Sequence, residues 1–246
     1  MSAPPLPPEV VRLILDEVRD LILKDVVRAS QVSRTWRLAA RSHPLFAQDI
    51  FLFSDACQSR GAVRLILDRL AAVPGGNLYM DLHLTLGKGD LSRQATAEQN
   101  VRTMLIPALA QCLPRIVTLS IVCDEEFIND VVAALRAGPA PRLKVFKFYG
   151  YQHEPRPSTK MKVLPLDLFS GEAPLLRVLQ MDACQFPEVP VPAFASVREL
   201  IRVADRRAEE NYYCCVQLHP ERFFISCPAL EQLLVNANTF NLTRSS

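Results

Sequence analysis

The chain has 246 residues, 49% of them hydrophobic, with 28 basic against 26 acidic side chains and a formal net charge of +2. That length and apolar content suffice for one full core and a small second one, and the near-neutral balance sets up no strong field that draws the chain to nucleic acid or an acidic membrane surface, which argues for protein partners. Seven cysteines (Cys57, Cys112, Cys123, Cys184, Cys214, Cys215 and Cys227) lie mostly inside apolar runs, as expected of reduced core residues in a cytoplasmic or nuclear protein.

Met1–Pro8 carries four prolines and lacks the basic-then-apolar order of a signal peptide. No apolar run approaches the roughly 18 residues of a membrane span. Asn241-Leu242-Thr243 fits the glycosylation pattern, but without a secretory signal the match is read as chance. Pro7 and Pro8 predict a helix start, because a proline ring fixes φ and its missing N–H matters little in the first turn. Val10, Val11, Ile14, Leu15 and Val18 then share one side of a helix, with Arg12, Asp16 and Glu17 elsewhere. Asp25 is expected to cap a second short helix holding Val26, Val27 and Ala29. Ser33 is expected to cap a third with Trp36, Ala39 and Ala40, stopped by Pro44. Helices this short cannot hide so much apolar surface among themselves, so part of it must meet the rest of the chain or a partner.

Leu6-Pro7-Pro8-Glu9-Val10, Ile14-Leu15 and Val18, followed by Asp25-Val26-Val27-Arg28-Ala29 and Val32-Ser33-Arg34-Thr35-Trp36, resemble an F-box over about residues 5 to 52. The stretch Val32–Trp36 is similar to the family's Val-Cys/Ser-basic-x-Trp signature. Arg19–Lys24 is longer than the shortest family members allow, which bears on how the second helix sits. The resemblance implies a module that docks on the Skp-type adaptor of a Skp–cullin–F-box ubiquitin ligase through Leu6, Pro7, Val10, Ile14, Leu15, Val32 and Trp36. A stiff, proline-entered apolar patch binds with little ordering cost, and a few large groups dominate its affinity. The alternative is a helical cap that merely covers one end of the domain that follows.

Phe46, Ile50, Phe51, Leu52 and Phe53 tie this module to the remainder, so the division falls as an F-box-like helical module over 1–52 and a second domain over 53–246. Val63, Leu65, Ile66, Leu67 and Leu70 predict a helix ended by Pro74-Gly75-Gly76. Leu78, Met80, Leu82, Leu84 and Leu86 alternate with Tyr79, Asp81, His83 and Thr85, a strand with one buried face. Gly87-Lys88-Gly89-Asp90 is a turn without the wider spacing of a phosphate loop.

Beyond it a pattern recurs: proline, any residue, then apolar positions at the first, fourth and sixth places. It reads Pro114/Ile116/Leu119/Ile121, Pro141/Leu143/Phe146/Phe148, Pro174/Leu176/Leu179/Met181 and Pro228/Leu230/Leu233/Val235, with a degraded copy at Val197 and Leu200 that Arg202 interrupts. The first apolar positions lie 27, 33, 21 and 33 residues apart, near the repeat lengths of leucine-rich solenoids. Between them, Thr96 is expected to cap a helix with Val101, Met104, Leu105, Leu109 and Cys112, and Asp124 one with Phe127, Ile128, Val131, Val132 and Leu135. The expected fold is therefore an α+β or α/β solenoid, a three-helix F-box followed by irregular leucine-rich-repeat-like strand–helix units, similar to the substrate-binding half of F-box/leucine-rich-repeat proteins.

Alternation names the solvent-facing positions of such strands: Asp81 and His83, Thr118 and Ser120, Val145, Lys147 and Tyr149, Val178, Gln180 and Asp182, Gln232, Leu234 and Asn236. Lys147, Tyr149, Gln180, Asp182 and Asn236 are the candidate substrate contacts; a plain solvated face is the other reading. Tyr151–Lys162 and Ala204–Glu221 read as irregular segments, the first either a binding rim or a tolerated insertion. No catalytic set is found. There is no Cys-x-x-Cys, His43, His83, His153 and His219 have no ligand partners at metal-site spacing, and no nucleophile elbow or dinucleotide fingerprint occurs. The acidic start Asp124-Glu125-Glu126 suits a helix dipole. The expectation is a binding protein, not an enzyme, without metal or cofactor, whose partners are a Skp-type adaptor and an unknown protein substrate, with no nucleic acid or membrane. A repeat scaffold unrelated to ubiquitin, or an enzyme whose site forms only in three dimensions, are the competing readings.

Overall fold

In the computed structural model, which describes residues 6–18, 23–52, 54–72, 75–86, 90–151, 162–181, 184–202 and 220–235, Pro8 opens α1 (Pro8–Glu17) at its first position. There follow α2 (Leu23–Ala29), α3 (Arg34–Ser42) and α4 (Pro44–Gln48). Ser33 Oγ accepts the Trp36 amide at 3.3 Å, the expected cap of α3. Asp25 sits inside the first turn of α2, not ahead of it, where its charge still suits the helix dipole. The four helices share a small core of Val11, Leu15, Val26, Ala39, Ala40 and Phe46. Buried His43 joins its two ends: Nδ1 accepts the Leu45 amide at 3.2 Å, which leaves the ring proton on Nε2, 3.2 Å from Asp16 Oδ1.

The rest is built on one parallel sheet of β1 (Asp49–Leu52), β2 (Leu78–Leu84), β3 (Ile116–Asp124), β4 (Val145–Tyr151), β6 (Val178–Met181), β8 (Glu199–Arg202) and β9 (Gln232–Val235), neighbours in that order. The short strands β5 (Lys162–Val163) and β7 (Cys184–Gln185) pair with each other beside it. Parallel neighbours require long crossovers. These are α5 (Ser54–Cys57) with α6 (Arg60–Ala72), α7 (Leu91–Asn100) continued through a π turn into α8 (Ile106–Cys112), α9 (Glu125–Arg136), two 3-10 turns at Leu168–Gly171 and Pro192–Phe194, and α10 (Pro220–Ser226). The π turn lies just ahead of Pro107, whose ring nitrogen has no hydrogen to offer the preceding turn.

The recurring apolar positions pair across strands: Leu119 with Phe146, Phe146 with Leu179, Leu179 with Leu200 and Leu200 with Leu233. The turns before the strands repeat one bond, each amide donating to the carbonyl of the equivalent residue before it, from Lys144 to Val117, Arg177 to Lys144, Arg198 to Arg177 and Glu231 to Arg198. Alternate positions separate through the middle of the strands. Met80, Leu119, Phe146, Leu179 and Leu200 enter one continuous core under the helices, while the intervening side chains face outward.

Three local expectations are corrected. The strand β1, read from sequence only as connecting chain, pairs with β2, and its Ile50 and Leu52 belong to the large core. The small core ends with Phe46 and the large one begins with Ile50. The helix expected to start at Thr96 starts at Leu91, because Asp90 Oδ1 accepts the Arg93 amide at 2.8 Å; Thr96 lies mid-helix and donates back to the Ser92 carbonyl. Asp124 precedes α9 but makes no side-chain cap there: buried, it accepts the Leu86 amide at 2.7 Å and ties the end of β2 to β3.

Candidate protein-interaction surfaces

The helix α1 carries apolar residues over more of its circumference than its neighbours cover. At about 100° per residue, Leu13, Val10 and Ile14 span roughly a quarter-turn of the helix wheel, and Val11 and Leu15 occupy the arc beside them. Only the second arc is covered, because it faces α3. Leu6 is 47%, Leu13 63% and Ile14 40% exposed, whereas Leu15 is 4% exposed. Val10, Val18, Val32 and Leu38 are also exposed. A contiguous apolar ridge of this kind marks an interaction surface.

Residues 4–52 match the family model for F-box-like domains. Among curated proteins, none matches the chain. An F-box-like domain is a protein-interaction module, and of the contact positions carried over from the resemblance, Leu6, Pro7, Val10, Ile14 and Val32 stand in solvent. The other two do not belong to the ridge. Leu15 falls one step round the helix from Ile14 and is enclosed in the small core, and half-buried Trp36 packs against the same core, so both support the ridge from beneath. Leu13 and Leu38 are exposed apolar residues of α1 and α3 that the carried-over positions do not include. For Leu13 the signal was available, since it stands three residues after Val10 on the same side of the helix.

The F-box-like domain is joined to the sheet by α3 and α4, which pack on α6, and by α4 against β1 and β2. At the centre of this joint Arg69 of α6 is 4% exposed. Its Nε donates to the Phe46 carbonyl, its Nη2 to the Asp49 carbonyl, and the guanidinium lies 5.4 Å from the centroid of the Phe46 ring. Burial pushes its pKa down to about 10, against the pull of Asp49, so the group stays charged at neutral pH and depends on those bonds.

The outer face of the sheet forms the second surface. Register sets out one row of Asp49, Tyr79, Thr118, Val145, Val178, Glu199 and Gln232, and another of Phe51, Asp81, Ser120, Lys147, Gln180, Ile201 and Leu234. His83, Val122 and Tyr149 begin a third row. Lys147, Tyr149 and Gln180 are thus brought onto one face, adjacent in register or one step apart. Asp182 and Asn236 lie outside the described residues, as do most of the two irregular segments. Asp49, Phe51, Glu199 and Ile201 were not anticipated on this face, because the strands bearing them were missed or read as degraded.

The buried thiols are chemically quiet. Desolvation raises Cys57 to about 12, with the Asp124 charge adding to it, and raises Cys227 to about 12, so both remain protonated and poorly nucleophilic at neutral pH. Among the described residues no three His, Cys, Asp or Glu side chains are grouped so as to hold a metal ion, and no helix is long and apolar enough to cross a membrane.

Proposed function

We propose that this chain recruits substrates to a Skp–cullin–F-box ubiquitin ligase in the cytoplasm or nucleus, binding the Skp-type adaptor through the α1 ridge and a protein substrate through the sheet, with no catalysis of its own. The observation that carries the reading is the exposed stripe Leu6, Val10, Leu13 and Ile14 inside an F-box-like match. A helix that packs half of its apolar arc and leaves the other half in water is stabilised by a partner. The second domain fits a leucine-rich-repeat-like platform: equivalent positions 27, 33, 21 and 33 residues apart stack strand on strand, Leu119 through Phe146, Leu179 and Leu200 to Leu233.

Purification of the full tagged chain from cells tests both halves. The Skp-type adaptor and a cullin are expected to co-purify. Combined alanine substitution of Lys147, Tyr149 and Gln180 is expected to keep the adaptor but to lose most of the substrates marked by proximity labelling with the ligase blocked. Absence of the adaptor removes the ligase assignment; an unchanged set of labelled substrates removes the sheet from the substrate site.

A further inference from the structure

The turns that lead into the strands carry a row of positive charge. The main-chain bonds between turns, from Arg177 to Lys144 and from Arg198 to Arg177, place Lys144, Arg177 and Arg198 at one equivalent position ahead of β4, β6 and β8. Neighbouring strands are about 5 Å apart. All three side chains are exposed. Arg115 and Arg142 stand two positions earlier in their own turns, and both reach back to the turn ahead of β2. Arg115 Nε donates to the Gly76 carbonyl at 3.4 Å and Arg142 Nη1 to the Gly75 carbonyl at 3.3 Å. The turn segments 114–117, 141–144, 174–177, 195–198 and 228–231 thus hold five basic side chains against one acidic, Glu231.

Little inside the chain answers that charge. Arg198 pairs with Glu231 at 2.8 Å, at the far end of the row. Arg142 and Arg177 bond only neutral oxygens among the described residues, each through Nη1. Arg142 meets the Gly75 carbonyl and Asn77 Oδ1, and Arg177 the Pro174, Leu176 and Ser196 carbonyls. Lys144 has no side-chain partner among the described residues. Like charges at facing positions of neighbouring strands repel one another, and an anion laid along them relieves the repulsion. A guanidinium fork anchored at one nitrogen is already set to take a carboxylate on its open edge.

We propose that this strand-entry rim binds an acidic segment of a protein substrate, a run of Asp and Glu side chains laid across the turns before β4, β6 and β8. The inference rests on the ligase-adaptor reading for calling the partner a substrate, and it names that partner's chemistry. Charge complementarity selects the occupant. An extended chain advances about 3.3 Å per residue, so three or four residues cross the row. A nucleic-acid strand offers the same sign of charge but gains much of its affinity from stacking, and the turn segments hold no Phe, Tyr or Trp. Leu175, exposed in the turn before β6, adds an apolar contact beside the charges. The strands of the sheet are parallel, so the rim lies at the end where the chain enters β1 from α4 of the F-box-like domain.

The test is fluorescence anisotropy of a short labelled peptide of alternating glutamate and serine, titrated with the full chain at low ionic strength. Saturable binding that weakens as salt is added is expected, with none for the glutamine–serine counterpart. Lys144→Glu is expected to weaken it about five-fold, since one attraction becomes a repulsion. Its melting curve stays that of the parent, because Lys144 is exposed. Glu231→Gln releases Arg198 and is expected to tighten binding about two-fold, a gain that a damaged fold does not produce. No binding of the acidic peptide, equal binding of the uncharged one, or an affinity unmoved by both substitutions overturns the proposal. Tighter binding of a labelled oligouridine than of the acidic peptide also overturns it, in favour of a nucleic-acid partner. If the Skp-type adaptor co-purifies with the chain while the peptide fails, this inference falls alone; if the adaptor is absent, the ligase reading falls and the titrations still decide the rim.

Discussion

Ile14→Asp is expected to weaken the complex with a Skp-type adaptor by about 30-fold or more, and Leu6→Asp together with it to abolish binding measurable by calorimetry. Central apolar side chains of an interface commonly contribute about 2 kcal/mol or more, and an aspartate there adds an unpaired charge to a desolvated surface. The folded chain is expected to be indifferent, because Ile14 is 40% exposed and Leu6 47% exposed, and substitutions at such positions usually change stability by less than about 0.5 kcal/mol. The neighbouring residue gives the contrast. Leu15 is buried in the small core, so Leu15→Ala is expected to destabilise the F-box-like domain by about 3 kcal/mol. Loss of binding in Ile14→Asp with an unchanged melting curve separates an interface from a damaged fold; equal affinity in parent and variant removes α1 from the interface.

Arg69→Ala is expected to lower the stability of the chain by about 3 kcal/mol, since it empties a packed site and strips the Phe46 and Asp49 carbonyls of their donor, each such loss being about 1–3 kcal/mol. Arg69→Lys recovers little. A lysine brings a point charge where a fork spans two carbonyls and lies over the Phe46 ring. Urea unfolding followed by circular dichroism reads the loss. Amide exchange locates it, with the Asp49–Leu52 amides expected to exchange faster than those of β3, because β1 is held at the edge of the sheet next to the joint. A midpoint unmoved by Arg69→Ala contradicts this account of how the two cores are held together.

The parts of the fold that follow from period and spacing were legible in the sequence. The alternation Leu78, Met80, Leu82 became a strand with those side chains buried, and the spacings from Leu119 through Leu233 became the register of neighbouring strands. What escaped were effects of tertiary context. Asp49–Leu52 is too short to announce itself as a strand, and is one because β2 offers it an edge to pair with. Phe169 and Ser170 take left-handed backbone angles, φ 53° and 52°, ahead of Gly171. Only the glycine is readable in advance; Phe169 is held in that conformation by burial, with its ring edge-on to Phe146 at 5.2 Å. Within the candidate surfaces the sequence marked the apolar stripe of α1 but not its covered edge. Leu15 and Ile14 are indistinguishable by hydrophobicity, and only the seat of α3 tells which of them faces water. The Lys144/Arg177/Arg198 row was likewise invisible until the main-chain bonds between turns placed residues far apart in the chain side by side.

Amide hydrogen exchange on the purified chain, with and without a purified Skp-type adaptor, tests the grip of α1 most directly. Slowed exchange confined to α1 and the turn before α3, with β3, β4 and β6 unchanged, is the predicted result. Identical exchange across residues 6–18 at adaptor concentrations that saturate a known F-box partner would contradict it.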